Sequence, residues 1–459
     1  MPMQMGFRWY GEGNDKIKLS DIKQIPGVTS IVWALHHKMP GEVWEVEEIA
    51  EVKRQLDEYG FNIDVVESVN VHDDIKIGLP TRDMYIENYK QTIRNLSQFG
   101  VKVICYNFMP IFDWTRSDLF HPVGDGSTAL FYEKNMIQDD YNAMAKYILD
   151  FTEKYNMTFP GWEPERMAQL DKLFKDYKDV DHEVLWANLK YFLEAIMPTC
   201  EECGIKMAIH MDDPPWDIFG LPRLLVDEAG IKRFLTMVDH PCNCLTLCSG
   251  SLNANPDNNV ADIVRKYCDR IAFAHIRNVK HFPNGDFSEA SHRDCDGDTG
   301  ILEILKAYHD CGYEGYIRPD HGRHLWGEGP GTVDQNIAGT QIGQHLLVYG
   351  LQDLAVQNVG LVALADIALG LQLLGQLLDG FFIQIQRSDL GAGVSIGTGH
   401  IAAQHAARTG DDDDLACKVV IQGKIHHFYL PPEFLYNQRS ASIICRPAYP
   451  AYPRHPAYT

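Results

Sequence analysis

Positive charge is in short supply along this chain. Its 41 Lys and Arg stand against 63 Asp and Glu, a formal net charge of -22. That balance argues against non-specific binding to nucleic acid or to an anionic membrane surface. It also requires an anionic substrate to find local arginines that offset the overall field. After Arg323 no Lys or Arg recurs until Arg387. An uninterrupted apolar run is lacking too. GLVALADIALGLQLLGQLLDGFF is broken by Asp366, Gln372, Gln376 and Asp379 and has no basic flank before it, so no membrane span is expected. MPMQMGFRWYGEGNDK contains no basic segment followed by an apolar one, so no secretory leader is expected and the reading is cytoplasmic. The 11 cysteines, an odd number, then read as reduced thiols rather than a disulfide framework. No second Cys-x-x-Cys follows Cys200 and Cys203 at zinc-ribbon spacing, and Cys242 and Cys244 do not supply one. All four are expected to be free helix and strand thiols.

What is present is a regular alternation. Strand-like runs rich in Val, Ile, Phe and Tyr end near Tyr10, Leu35, Ser68, Asn107, His210, Cys248, Ile276 and Pro319. Helical patterns lie between most of them. VEEIAEVKRQLDEYG spaces Val46, Ile49, Val52, Leu56 and Tyr59 along one face before Gly60. IENYKQTIRNLSQFG, VLWANLKYFLEAIMPTCEECG and ILEILKAYHDCG repeat the design and stop at Gly100, Gly204 and Gly312. Eight strands alternating with helices predict an α/β fold, a closed parallel (β/α)8 barrel of the TIM type. A long insertion follows the fourth strand, roughly 109 to 181, and reads as a lid, an extra substrate wall or a packing excursion. Residues 1–352 are expected to form the barrel and 353–459 an unfamiliar extension ending in the low-complexity PAYPAYPRHPAYT.

Four residues able to bind a metal sit at the ends of successive predicted strands. They are His210 after KMAIH, Cys248 after CLTLC, His275 after RIAFAH and Asp320 after GYIRPD. In a parallel barrel those ends share one mouth, where active sites of this architecture lie. Two imidazoles, a thiolate and a carboxylate make a mixed N/S/O site for a borderline divalent metal. Such an ion acts as a Lewis acid on a hydroxyl or carboxylate while a nearby side chain moves a proton. His321 is the choice for that proton, because an imidazole titrates near neutrality; orienting a ligand is its alternative role. Arg277, Arg318 and Arg323 could hold a substrate carboxylate, or could equally be spent on structural ion pairs. Arg8 and Arg116 are further candidates. The residues alone lead to a metal-dependent lyase or isomerase for a small, polar, acidic molecule.

Longer segments carry a resemblance. FRWYG (Phe7 to Gly11), VVESVNVHDDIK (Val65 to Lys76), CYNFMPIFDWTRSDL (Cys105 to Leu119), IHMDDPP (Ile209 to Pro215), IFGLPR (Ile218 to Arg223) and RPDHGRHLWGE (Arg318 to Glu328) resemble the mannonate dehydratase family. The resemblance runs from about residue 5 to 330. It implies a xylose-isomerase-like TIM barrel that dehydrates D-mannonate to 2-keto-3-deoxy-D-gluconate in hexuronate breakdown, using Mn²⁺ or Fe²⁺. It places the metal ligands on His210, Cys248, His275 and Asp320 and acid/base catalysis on His321. Arg277, Arg318, Arg323 and Asn107 are then expected to contact the substrate, a small acidic sugar. No nucleic acid or membrane partner is expected; a homo-oligomer is left open. The family's His-Pro-Asp-Asp becomes His210-Met211-Asp212-Asp213 here. Its Pro-Gly-Tyr-Gly-Leu-Tyr-Asp-Arg run, whose first Tyr is a proposed catalytic group, becomes Pro330-Gly331-Thr332-Val333. A frame change or fusion near Glu328 would explain that departure. Two other readings stay open: a catalytically impaired metal-binding relative, and another sugar isomerase or dehydratase of the same barrel class.

Overall fold

The structure is a computed structural model; it describes residues 3–13, 17–137 and 169–324, with residues 146 and 150 and short strands between 383 and 429. Its backbone groups into two compact units, Met1–Gln352 and Asp353–Thr459. In the first unit eight parallel strands close into a barrel. These are β1 (Gln4–Arg8), β2 (Val28–Trp33), β3 (Asn62–Glu67), β4 (Val103–Tyr106), β7 (Lys206–His210), β8 (Asn243–Cys248), β9 (Ile271–His275) and β12 (Tyr316–Arg318). Each pairs with the next in chain order, and β12 closes on β1. All eight end within two residues of the strand ends expected from the sequence.

The alternation of side chains along each strand divides the apolar residues into two clusters. Val32, Val65, Val103, Cys105, Ala208, Cys244, Phe273 and Tyr316 belong to a small cluster that fills the barrel. Their strand neighbours Ile31, Val66, Ile104, Met207, Ile209, Leu245 and Ile317 belong to the large cluster that packs beneath the helices. The helix Val46–Glu58 buries Ile49 and Leu56 on that outer face. The helix His182–Cys203 starts where the Asp181 side chain accepts from the Val184 N–H and ends at Gly204, in the left-handed conformation at φ 64°. No helix among the described residues is long and apolar enough to cross a membrane.

A second, smaller sheet is made from three separate excursions. The described part of the insertion supplies the hairpin β5 (Asp118–Pro122) and β6 (Thr128–Tyr132). The hairpin β10 (Asn278–His281) and β11 (Phe287–Ala290) follows β9, and β13 (Arg323–His324) follows β12. β6 pairs antiparallel with both β11 and β13. The sequence suggested a lid or wall but not this partnership. Strands of two to five residues carry little periodicity, and β6 lies more than a hundred residues from both β11 and β13.

The Cys268 and Cys311 sulfurs are joined in a disulfide, whereas the composition pointed to free thiols throughout. The bond ties the turn before β9 to the end of the helix Ile301–Asp310, two places that only the fold brings together. Cys200, Cys203, Cys242 and Cys244 are free, as expected. Three features read from the sequence lie outside the described residues: the apolar stretch 360–382, Thr332, where the family has Tyr, and the low-complexity tail.

Candidate metal and active site

The last inward-facing position on a barrel strand points into the mouth. By the alternation above that position is Arg8 on β1, Glu67 on β3, Asn107 just past β4, His210 on β7, Cys248 on β8, His275 on β9 and Arg318 on β12. Strand register thus gathers residues that are distant in the chain.

Three of the residues proposed from sequence form one group. A ring nitrogen of His210, Sγ of Cys248 and a ring nitrogen of His275 all lie within 4.8 Å of one another. His210 Nε2 is 3.2 Å from His275 Nδ1. The fourth, Asp320, adjoins the group: its Oδ2 is 3.7 Å from Cys248 Sγ and 3.7 Å from His275 Nδ1. Asp320 sits two residues past β12 in the left-handed backbone region at φ 64°. A non-glycine residue held there is a feature often found at functional sites.

The donor set fits a divalent ion. His210 Nδ1 lies 2.6 Å from the Met211 carbonyl oxygen, to which its N–H donates, so Nε2 keeps a lone pair directed at the cluster. The Ser251 N–H donates to Cys248 Sγ at 3.5 Å, which fixes the sulfur. Burial raises the Asp320 carboxyl pKa, but the charges of His321, Arg318, His275 and Arg277 outweigh burial and hold it well below the usual range. It is therefore an anion. Donors bound tetrahedrally at about 2.0–2.3 Å stand about 3.3–3.8 Å apart, close to the 3.2 and 3.7 Å separations here.

Around this centre the charges form a tight frame. Arg318 donates from Nη2 to Asp320 Oδ1 at 2.7 Å and to Glu67 Oε1 at 3.2 Å. Arg277 donates from Nη1 to Asp213 Oδ2 at 2.8 Å, and the same nitrogen is 3.6 Å from Asp320 Oδ2. Asp213 also takes two bonds from Arg116, at 2.8 and 3.1 Å. Glu289, on β11, accepts from Arg116 at 2.8 Å. Arg116, Asp213, Arg277 and Glu289 are all at most 2% exposed. Gly250 makes room for this frame, since a Cβ there would meet Arg277 Nε at 2.1 Å.

Arg277 and Arg318 are thus committed to protein carboxylates. Arg323 is partly exposed and pairs with Asp125 in the turn between β5 and β6. Asn107 is half-buried beside the mouth. His321 lies between two acids: Nε2 is 3.6 Å from Asp320 Oδ2 and Nδ1 is 3.6 Å from Glu289 Oε1. Arg8 has Nη2 3.5 Å from His36 Nε2. Burial first, then the charges of Arg8 and His37, lower the His36 pKa to about 3, so that ring stays neutral.

Glu67, Asp213 and Glu289 were not singled out from the sequence. Glu67 was within reach, because it occupies the final inward position of a strand that the pattern marked. Asp213 lies in the Asp-Asp-Pro-Pro run after β7. Glu289 gave no signal, since β11 is four residues long and joins β6 from a distant part of the chain.

Replacing Cys248 by Ser exchanges a soft sulfur donor for an alcohol. The variant is expected to retain less metal after dialysis and to favour harder ions. Metal content equal to that of the unaltered chain would leave Cys248 as a core thiol only.

The model of the family described as D-mannonate dehydratase (UxuA) matches residues 3–352. Mannonate dehydratase 1 of Bacillus licheniformis is 60% identical over 327 residues, covering 71% of this chain and 89% of the relative. Mannonate dehydratase 1 of Halalkalibacterium halodurans is 58% identical over 360 residues, covering 78% of this chain and 97% of the relative. Among solved structures, mannonate dehydratase from Streptococcus suis serotype 2 superimposes with a TM-score of 0.67 at 38% identity, covering 78% of this chain and 96% of that one. The match extends past residue 330, where the sequence motifs stopped.

Proposed function

Because this chain belongs to the D-mannonate dehydratase family, we propose that it removes water from D-mannonate to give 2-keto-3-deoxy-D-gluconate, with Mn²⁺ or Fe²⁺ held by His210, Cys248, His275 and Asp320. It is a hydro-lyase on an α/β barrel, and the family is metal-dependent. The observation that carries the assignment is the convergence of imidazole nitrogens, a thiol and an ionised carboxylate at one barrel mouth.

The bound ion would supply Lewis acidity where negative charge develops on the substrate. The chain's residues do the rest. Arg277 and Arg318 flank Asp320 and hold its carboxylate in place. Being nearly buried, they act on an anionic substrate through their field rather than through a paired contact. Asn107 and Arg323 are the candidates for direct contact. Dehydration needs a base for the C2 proton and an acid for the departing C3 hydroxyl. His321, 14% exposed in its side chain and flanked by Asp320 and Glu289, is the group assigned to move a proton. The enol so formed tautomerises to the 2-keto acid. Cys248 has to remain reduced to act as a ligand.

The experiment is incubation of the pure chain with Mn²⁺ and D-mannonate, beside a panel of other aldonates and aldoses, with 2-keto acid or isomerised sugar as readout. Product from D-mannonate alone supports the assignment. Turnover confined to an aldose would replace it with a sugar isomerase.

One observation favours a second reading, a metal-binding relative with impaired turnover: Thr332 stands where the family carries Tyr. We further assign the activity to residues 1–352 and treat 353–459 as an extension. All four ligands precede Gly322, so cutting the chain near Leu351 is expected to retain metal binding. Restoring the family's Tyr-Gly-Leu-Tyr-Asp-Arg run after Gly331 is expected to raise D-mannonate turnover. Full activity in the unaltered chain, with no gain on restoration, would show that another residue does the work of that Tyr.

A further inference from the structure

We propose that Glu67 is a positioning residue for the metal centre: it accepts the proton that His275 must carry on Nε2 in order to present a bare Nδ1 to the ion. The inference rests on the metal reading above. A neutral imidazole carries one proton. In this structure Arg318 Nε donates to His275 Nε2 at 3.1 Å, which places the ring proton on Nδ1. Nδ1–H then faces His210 Nε2 at 3.2 Å. His210 already has its own proton on Nδ1, donated to the Met211 carbonyl at 2.6 Å. This arrangement is self-consistent, and it closes both lone pairs that an ion would need.

To open the site, His275 gives up its Nδ1 proton to solvent and takes one up on Nε2. The exchange moves one proton from one ring nitrogen to the other and leaves the charge of the ring unchanged. Nε2–H then needs an acceptor, and a guanidinium offers none. Glu67 Oε1 lies 3.4 Å from His275 Nε2, and among the described residues it is the carboxylate paired with that nitrogen. Its other oxygen, Oε2, is buried without a hydrogen-bond partner although Arg318 Nε stands 3.2 Å away. Once Nε2 is protonated, the Arg318 Nε–H can turn to that vacant oxygen. Both halves of the carboxylate are then used, and Arg318 keeps its 2.7 Å bond to Asp320. Glu67 therefore bears on two ligands, on His275 directly and on Asp320 through Arg318. Carboxylates in this relation to a metal-bound histidine fix its orientation and tautomer.

The test uses full-length Glu67→Gln and Glu67→Asp, with Mn²⁺ affinity measured by competition with a chromogenic chelator. Thermal unfolding of the metal-free proteins serves as the fold control. A glutamine turns an NH2 toward Arg318 or His275, so Glu67→Gln is expected to lower Mn²⁺ affinity about 10- to 100-fold. Glu67→Asp, which keeps the charge on a shorter arm, is expected to recover part of it. A folded Glu67→Gln with wild-type Mn²⁺ affinity overturns the proposal. If that variant does not fold, the unaltered protein loaded with Zn²⁺ and labelled with ¹⁵N-histidine decides the matter. His275 is expected to show a protonated Nε2 there, and a bare Nε2 overturns the proposal. Wild type and Cys248→Ser run alongside: no Mn²⁺ binding in the first, or undiminished affinity in the second, counts against the metal reading rather than against Glu67.

Discussion

Replacing His321 by Asn is expected to cut D-mannonate turnover by about 10²-fold or more, the scale of general acid/base groups, while leaving the metal in place. His321 adjoins the donor cluster without belonging to it. Its Nε2 is 3.6 Å from the Asp320 carboxylate, and Glu289 stands at the same distance from Nδ1 on the opposite side of the ring. Asparagine preserves a polar side chain of similar reach but cannot carry a proton between substrate atoms. Turnover and metal content measured on one preparation separate the two roles open to this residue. A fall in turnover at constant metal content is the expected result. Near-normal turnover would reduce His321 to an orienting residue, and loss of metal would make it part of the binding site.

The largest effect on stability is expected from Asp213→Ala. This carboxylate is shared by two buried guanidiniums, with bonds of 2.8 and 3.1 Å from Arg116 and 2.8 Å from Arg277. Removing it leaves Arg116 with Glu289, and Arg277 with Glu289 and the more distant Asp320, as the remaining close acids. Breaking a buried ion pair by deleting one partner costs about 3–5 kcal/mol. Urea unfolding of the metal-free proteins measures the difference, and a change below about 1 kcal/mol would show that water compensates the arginines. The pH dependence has a definite sign. Burial pushes the Asp213 pKa up, but Arg116 and Arg277 outweigh burial and depress it well below the usual carboxylate value. A depressed folded-state pKa gives stability that is present above the unfolded value, near 3.9, and lost as pH falls towards the folded one. The gap between Asp213→Ala and wild type should therefore be full at neutral pH and narrow below about pH 4.

Much of the site was legible because barrel geometry converts a linear pattern into a spatial one. A donor at the end of KMAIH, CLTLC or RIAFAH is brought to the mouth by register alone. His210, Cys248 and His275 therefore meet within 4.8 Å although 65 residues separate the first from the last. Asp320 follows the same logic from two residues beyond its strand. The arginines were harder to read. A guanidinium at a strand end looks alike whether it awaits a substrate or a protein carboxylate, and the acids that engage Arg277 and Arg318 come from β3, β11, the loop after β7 and Asp320 just past β12. Glu289 reaches the site only through the small sheet. That sheet depends on pairings between β6, β11 and β13, whose short runs leave no periodic trace. Arg116 entered the sequence reading as an additional substrate candidate; its role in the structure is to neutralise Asp213 and Glu289.

Metal dependence of turnover is the most direct measurement of the central claim. The chain would be stripped with a chelator, freed of it, and assayed with D-mannonate before and after addition of Mn²⁺ or Fe²⁺, following 2-keto acid. The expected result is no product from the stripped chain, recovery on adding either ion, and a higher Mn²⁺ requirement for Cys248→Ser. A stripped, verified metal-free chain that dehydrates D-mannonate as fast as the loaded one would contradict it.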